Sequence, residues 1–340
     1  LINSPEMRQK RIRRQDGNFR LDSAWINTRT GGTDLNSREV ETILSAVARD
    51  AENGNWGVYD WFNSQNDADH YDMTVHVGYQ MENHRYDSID ISVREGMAET
   101  IQALKELGLI TDEDLVLTEP YNDCNHRNNV FPPIAGFVKK ELYEDEALKL
   151  AVAKIKFEFM NNAQALIHGD LHTGSIFVKQ DSTRVFDPEF AFYGPMGYDI
   201  GNVVANMIFA WDNGRAAGAD AFCDWCLKAI ADTIDLFCEK FLVCFDACAT
   251  DLMAKTPGFK EYYLDSILSD TAAYAGTELI RRTVGMANVK DVTTIADEAK
   301  RAHAEKVNIL CAKDYIMNRT AFKNGADFIA AVTRADEAAK

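Results

Sequence analysis

Apolar residues change their spacing along this chain of 340 residues, and each change predicts an element. Asn36 with Glu39 three positions later has the form of a helix start, and Val40, Ile43, Leu44 and Val47 then recur at helical spacing. A loop-like stretch follows, with Gly54, Gly57 and the Asn/Asp-rich residues 63–69. Met73–Val77 and Ser88–Val93 alternate apolar and polar side chains, the pattern of half-buried strands. Met97, Ile101, Leu104 and Leu107 return to a helical stripe, and Gly108 stands where such a helix would end. Residues 145–160 predict a strongly amphipathic helix with Leu148, Ala151, Val152 and Ile155 on one face. Two short strands, Ile176–Val178 and Arg184–Phe186, are predicted on either side of the polar turn Lys179–Thr183. From Ile200 to Trp211 the helical spacing resumes, and helices are expected from there to the C-terminus. The pattern shifts near residues 95–110. The expected organisation is therefore α+β: a small α/β region over residues 1–95, then a mainly helical unit with one catalytic hairpin over residues 96–340.

The composition is 46% apolar and 26% charged, which allows a large buried core. A formal net charge of -17 argues against a protein that coats nucleic acid. The five basic residues between Arg8 and Arg14 are expected to form a solvated arm. No apolar run approaches the roughly 18 residues that would span a bilayer, so no membrane segment is expected. Seven cysteines, an odd number without scaffold spacing, point to a reducing cytoplasm. Cys223 and Cys226 form a CxxC, with Cys244 and Cys248 further on, a pattern open to zinc or redox use. The surrounding Trp225, Leu227, Ile230, Ile234, Phe237 and Phe241 instead predict a buried helix face with core cysteines. The chain opens on Leu1 rather than Met, so a start further upstream is expected, and the residues present include no signal peptide.

Candidate chemistry is concentrated between His168 and Gly201. The stretch runs His168-Gly169-Asp170-Leu171-His172-Thr173-Gly174-Ser175, the predicted hairpin, Asp187-Pro188-Glu189, then Gly194-Pro195-Met196-Gly197-Tyr198-Asp199-Ile200-Gly201. Phosphoryl transfer needs one carboxylate to orient and deprotonate the accepting hydroxyl, and others to hold the magnesium that neutralises the phosphates. Asp170 precedes the first strand of the hairpin and Asp187 follows the second, so the turn can bring both to one place. Glu189, two residues on, can reach the same ion. Magnesium prefers hard oxygen donors and keeps water and phosphate in its shell, so two carboxylates suffice. The ordered set is far more specific than a single HGD.

These motifs resemble the aminoglycoside-phosphotransferase-like kinase superfamily, and within it the 5-methylthioribose kinase family. Thr173-Gly174-Ser175 ends the first string, where most relatives carry a proline-glycine-asparagine-like ending. Asp187-Pro188-Glu189-Phe190 resembles the family's magnesium motif, and Phe192 to Gly201 resembles the segment that follows it. Glu278-Leu279-Ile280-Arg281-Arg282 resembles the family's paired-arginine motif. The resemblance covers about residues 110–335. It implies a protein-kinase-like C-terminal lobe in which Asp170 is the catalytic base for the anomeric hydroxyl of methylthioribose and Asp187 with Glu189 binds magnesium. It assigns Ser175 to the cofactor side and Arg281 and Arg282 to the sugar and the transferring phosphoryl group. His168 and Asp199 are expected to hold the loop, and His172 to be a satisfied loop histidine. ATP and Mg2+ are the implied cofactors, a small sugar the partner, and a homodimer the implied assembly.

The first 95 residues depart from the family. Asp16-Gly17-Asn18 echoes its phosphate loop, but DGN is a common turn sequence. No lysine lies between Lys10 and Lys105, so the strand lysine that should pair with the phosphates is missing. An arginine such as Arg29 is a poor substitute, its planar fork differing from a compact ammonium. Two alternatives to a methylthioribose kinase therefore stand: a non-catalytic, kinase-like sugar-binding or regulatory protein, and a kinase for another small hydroxyl compound.

Overall fold

The computed structural model describes residues 24–27, 42, 45–46, 49, 75–80, 85–93, 112–124, 126–187 and 191–340. By its contacts the chain divides into two compact units, one holding Pro5–Asp114 and the other Leu115–Lys340.

In the first unit, three strands form an antiparallel sheet in the order β1-β3-β2, with β1 at Ala24–Asn27, β2 at Val75–Gln80 and β3 at Arg85–Val93. The predicted strands fall on β2 and β3, where Val75 pairs with Ile91 and Val77 with Ile89, before the register shifts between Gly78 and Tyr79. Thr42, Ser45, Ala46 and Arg49 are helical, and Ala46 is fully buried. The other residues of that predicted helix, the stripe from Met97 to Leu107 and the DGN turn lie outside the described residues.

The second unit is mainly helical. Helix α1 spans Glu146–Asn161 and starts where Asp145 accepts a hydrogen bond from the Leu148 amide at 2.9 Å. That bond satisfies one of the free donors of its first turn. Strand β4 (Ala165–Ile167) pairs antiparallel with β7 (Phe192–Gly194), and between them β5 (Ile176–Lys179) and β6 (Ser182–Val185) form the hairpin. Its turn is only Gln180-Asp181, tighter than the five-residue turn the polar run suggested, because Lys179 and Ser182 still pair in register. Helices α2 (Met196–Ala217), α3 (Asp220–Cys248), α4 (Phe259–Val284), α5 (Glu298–Met317) and α6 (Gly325–Ala338) follow.

Helix α4 runs through the middle of this core. From Ile267 to Ile280 every one of its residues but Ser269 is buried, so it lacks the polar stripe of a surface helix. Two of its threonines are satisfied by bonding their own helix: Thr271 donates to the Ile267 carbonyl at 2.8 Å and Thr277 to that of Tyr274 at 3.0 Å. On α3 the buried face is Cys223, Cys226, Ile230 and Ile234. The Cys223 thiol donates to the Trp211 carbonyl at 3.6 Å, and burial raises both thiols, Cys226 to about 11. Such thiols are inert packing groups. Trp225 does not belong to that face: it is 54% exposed, because it lies two positions from Cys223 on the helix, and it stacks on Phe222 instead. No described helix is long and apolar enough to cross a membrane.

Candidate functional site

The site begins where β4 ends. His168, Gly169 and Asp170 leave the strand in a loop that Asp199, in the first turn of α2, fixes from below. The Asp199 carboxylate accepts the His168 amide at 2.6 Å and the Gly169 amide at 3.0 Å. Gly169 has a φ of 86°, a left-handed conformation that suits a residue without Cβ. Burial pushes the Asp199 carboxyl above its ordinary pKa, only partly offset by those two amide bonds. The Gly-x-Asp-x-Gly string has a packing reason as well. A Cβ on Gly197 would stand 2.5 Å from the Thr271 amide nitrogen, and one on Gly201 2.6 Å from that of Ala275. The two glycines let α2 lie directly against the backbone of α4, so Asp199 and the arginines of α4 are referenced to one frame.

The hairpin is tied to the same loop by His168. Its Nδ1 accepts the Asp170 amide at 3.4 Å, which leaves the proton on Nε2 to be donated to the Phe186 carbonyl at 2.9 Å. The imidazole thus joins the backbone of Asp170 to the residue just before Asp187. The Phe186 amide also donates to the Ser175 carbonyl at 3.1 Å. Asp187 is exposed and has a φ of 67°, an uncommon conformation for a residue with a side chain and one that aspartate tolerates better than most. Pro188, Glu189 and Phe190 lie outside the described residues.

Asp170 is the meeting point. The Nη2 atoms of Arg281 and Arg282 lie 3.7 and 3.5 Å from its Oδ1, and His172 Nε2 lies 3.8 Å from its Oδ2. The predicted base and the predicted arginine pair therefore come together from a loop and from the last turn of α4, 111 positions apart at the shortest (281 less 170). His172 accepts the Gly174 amide on Nδ1 at 3.0 Å, which places its proton on Nε2, towards Ser175 Oγ at 3.3 Å and Asp170. Ser175 is buried, with its amide donating to the His172 carbonyl at 2.9 Å and its hydroxyl facing the imidazole.

Glu278 opens the paired-arginine motif but had been given no role of its own. It is 2% exposed, with Oε1 2.8 Å from Arg282 Nε and Oε2 3.3 Å from Arg281 Nε. Desolvation raises its pKa, yet the charges of Arg281 and Arg282 outweigh that and hold the carboxyl below the ordinary range. The Glu-x-x-Arg-Arg spacing, three and four residues on a helix, was the available signal.

The donor chemistry fits a magnesium ion. Asp187 presents an exposed hard-oxygen donor beside the Asp170 loop. Among the described residues no three His, Cys, Asp or Glu side chains are grouped to hold a metal. Magnesium asks for less, usually one or two carboxylates with water and phosphate completing its shell.

Residues 119–231 match the profile of the phosphotransferase enzyme family. Methylthioribose kinase 1 of Oryza sativa subsp. japonica is 37% identical over 231 residues, which cover 62% of this chain and 53% of the rice protein. The methylthioribose kinase of Yersinia enterocolitica is 37% identical over 231 residues, covering 67% of this chain and 57% of that one. That of Erwinia tasmaniensis is 38% identical over 210 residues, covering 60% and 52%. The chain spans about half the length of the curated relatives it matches. A mainly helical unit with few short strands fits a protein-kinase-like fold, and the profile match falls within it. Residues 119–231 thus resemble the phosphotransferase enzyme family, and the relatives named here that share them are methylthioribose kinases.

Proposed function

We propose that the protein transfers the γ-phosphoryl group of ATP to the anomeric hydroxyl of methylthioribose or a closely related sugar. The observation that carries this reading is the convergence of Arg281, Arg282 and His172 on the carboxylate of Asp170, on a loop fixed by Asp199. Asp170 accepts the hydroxyl proton as the sugar oxygen bonds to phosphorus and the bond from phosphorus to the departing ADP oxygen breaks. Arg281 and Arg282 orient the sugar and face the negative charge that spreads over the transferring group. Asp187 with Glu189 would hold magnesium, which when bound supplies neutralisation of the phosphates. Ser175 belongs to the cofactor side of the loop in this reading. The work is done in the cytoplasm, with the sugar and ATP as the partners.

Purified protein given ATP, magnesium and methylthioribose is expected to release ADP and form the sugar 1-phosphate. Asp170→Asn is expected to lower kcat by about 100-fold or more, the usual contribution of a positioned base. Wild-type turnover in that variant would remove Asp170 from the role.

One observation favours a second reading. The absence of lysine between Lys10 and Lys105 removes the usual strand partner of the phosphates. A protein that binds the sugar without turning over ATP is its consequence. Calorimetry separates the two: methylthioribose binding with no binding of magnesium-ATP supports the non-catalytic reading. Turnover of a different hydroxyl compound in a substrate panel would move the assignment within the kinases.

A further inference from the structure

We propose that Glu278 is a positioning residue of this site, a buried carboxylate that keeps Arg281 and Arg282 together and aims both at Asp170. The inference rests on the function proposed above and adds a residue to it.

Two guanidinium groups that approach one carboxylate oxygen also approach each other, and their like charges repel. Nothing in the helix itself prevents one of them from turning away. Glu278 does, because on one helix face it lies three residues before Arg281 and four before Arg282. Each of its oxygens takes the Nε side of one arginine, and the Nη2 side of both points at Asp170 Oδ1. The Arg282 contact is a hydrogen bond at 2.8 Å; Oε2 is buried without a hydrogen-bond partner and meets Arg281 by charge alone. Water cannot replace this carboxylate, since Glu278 is buried and the arginines are 13% and 18% exposed. The charges close as well. Asp170, Glu278 and the two arginines sum to zero at rest. Once Asp170 holds the substrate proton the group carries one net positive charge, facing an anionic phosphoryl group.

The 340-residue chain and its Glu278→Gln, Glu278→Asp, Arg282→Gln and Glu278→Gln/Arg282→Gln variants test this. Glu278→Gln is expected to lower kcat by about 10- to 100-fold, the scale on which a supporting shell acts. Glu278→Asp, which keeps the charge on a shorter arm, is expected to recover part of it. The double variant is expected to be slower than Arg282→Gln alone by less than the factor that Glu278→Gln costs by itself, because with Arg282 replaced only the hold on Arg281 is left to lose. If Glu278→Gln loses its fold through the unpaired buried charge, Glu278→Asp and the charge-balanced double variant decide the same question. Wild-type kcat in Glu278→Gln, or single losses that multiply in the double variant, overturns the proposal. A readout without turnover keeps it separate from the proposed function. The two arginine Nε–H resonances of 15N-labelled protein are expected to exchange slowly in the wild type and to lose that protection in Glu278→Gln. Protection that survives the substitution refutes the role of Glu278, and a wild type that phosphorylates no sugar refutes only the proposed reaction.

Discussion

Asp270 shows how far burial alone can move a single group. It lies 5% exposed on α4, beside the point where Gly197 of α2 presses in, and its Oδ1 is 3.7 Å from Arg319 Nη1. Arg319 is already committed to Glu158, with Nη2 2.7 Å from Oε1 and Nη1 bonded to Oε2. Desolvation and the Glu158 charge therefore prevail over Arg319, and the Asp270 carboxyl is raised to about 7. In the unfolded chain the same group titrates near its ordinary value of about 3.9. Between the two values the folded state binds more protons, so stability falls as pH rises from about 4 to about 7, with the full loss present above the folded value. Asp270→Asn should flatten that slope in thermal melts taken across the interval. At pH 8 it should raise the midpoint by about 4 °C or more, since ~1 kcal/mol moves a domain of this size by about 2–4 °C. An unchanged slope would mean that another group carries it. Asp270 was not legible in the sequence, because nothing adjacent to it names Glu158 or Arg319, 112 positions before (270 less 158) and 49 after (319 less 270). That Asp170 and the pair Arg281 and Arg282 would come to one place was legible, because short motifs mark each of them in the sequence.

At the level of elements, the contact between α2 and α4 decides where the site stands. Gly197 and Gly201 of α2 face mainly backbone atoms of α4 rather than yielding side-chain ends, so an added methyl has nowhere to go. Gly201→Ala should cost about 1–3 kcal/mol, the usual penalty for overpacking a tight core. The denaturant midpoint measures that loss. The displaced α2 should also draw Asp199 away from the amides of His168 and Gly169, so the variant should lose turnover beyond its unfolded fraction. Full turnover in the folded fraction would show that the loop keeps its shape without the close contact. The long helices and the hairpin could be predicted because their apolar spacing repeats over many residues. The hairpin turn was drawn too long because Ser182 and Thr183 are polar, yet they lie in a strand whose exposed face accepts polar side chains. Trp225 was placed in the core with the apolar residues around the cysteines, although its position on the helix faces it outward.

For the whole molecule, the distribution of the core matters more than its size. Among the described residues the connected apolar core runs from Val116 to Ala339, and α4 touches α2, α3 and α5 within it. Each of these residues belongs to the unit that holds Leu115–Lys340. A unit that contains its own core, the Asp170 loop and the arginine pair that meets it has what it needs to fold alone. A fragment of residues 112–340, begun at the first residue of the short helix Asp112–Leu117, should therefore keep its helical circular dichroism and melt in one cooperative transition. It should also retain the protected arginine Nε–H signals, whose partners all lie within it. It should not transfer phosphate, because in kinases the cover over the phosphates comes from the N-terminal part. A fragment that melts without cooperativity would show that the residues before 112 contribute to the stability of the core. A fragment that still turns over ATP would show that the missing lysine is irrelevant, and that the catalytic unit needs no second lobe.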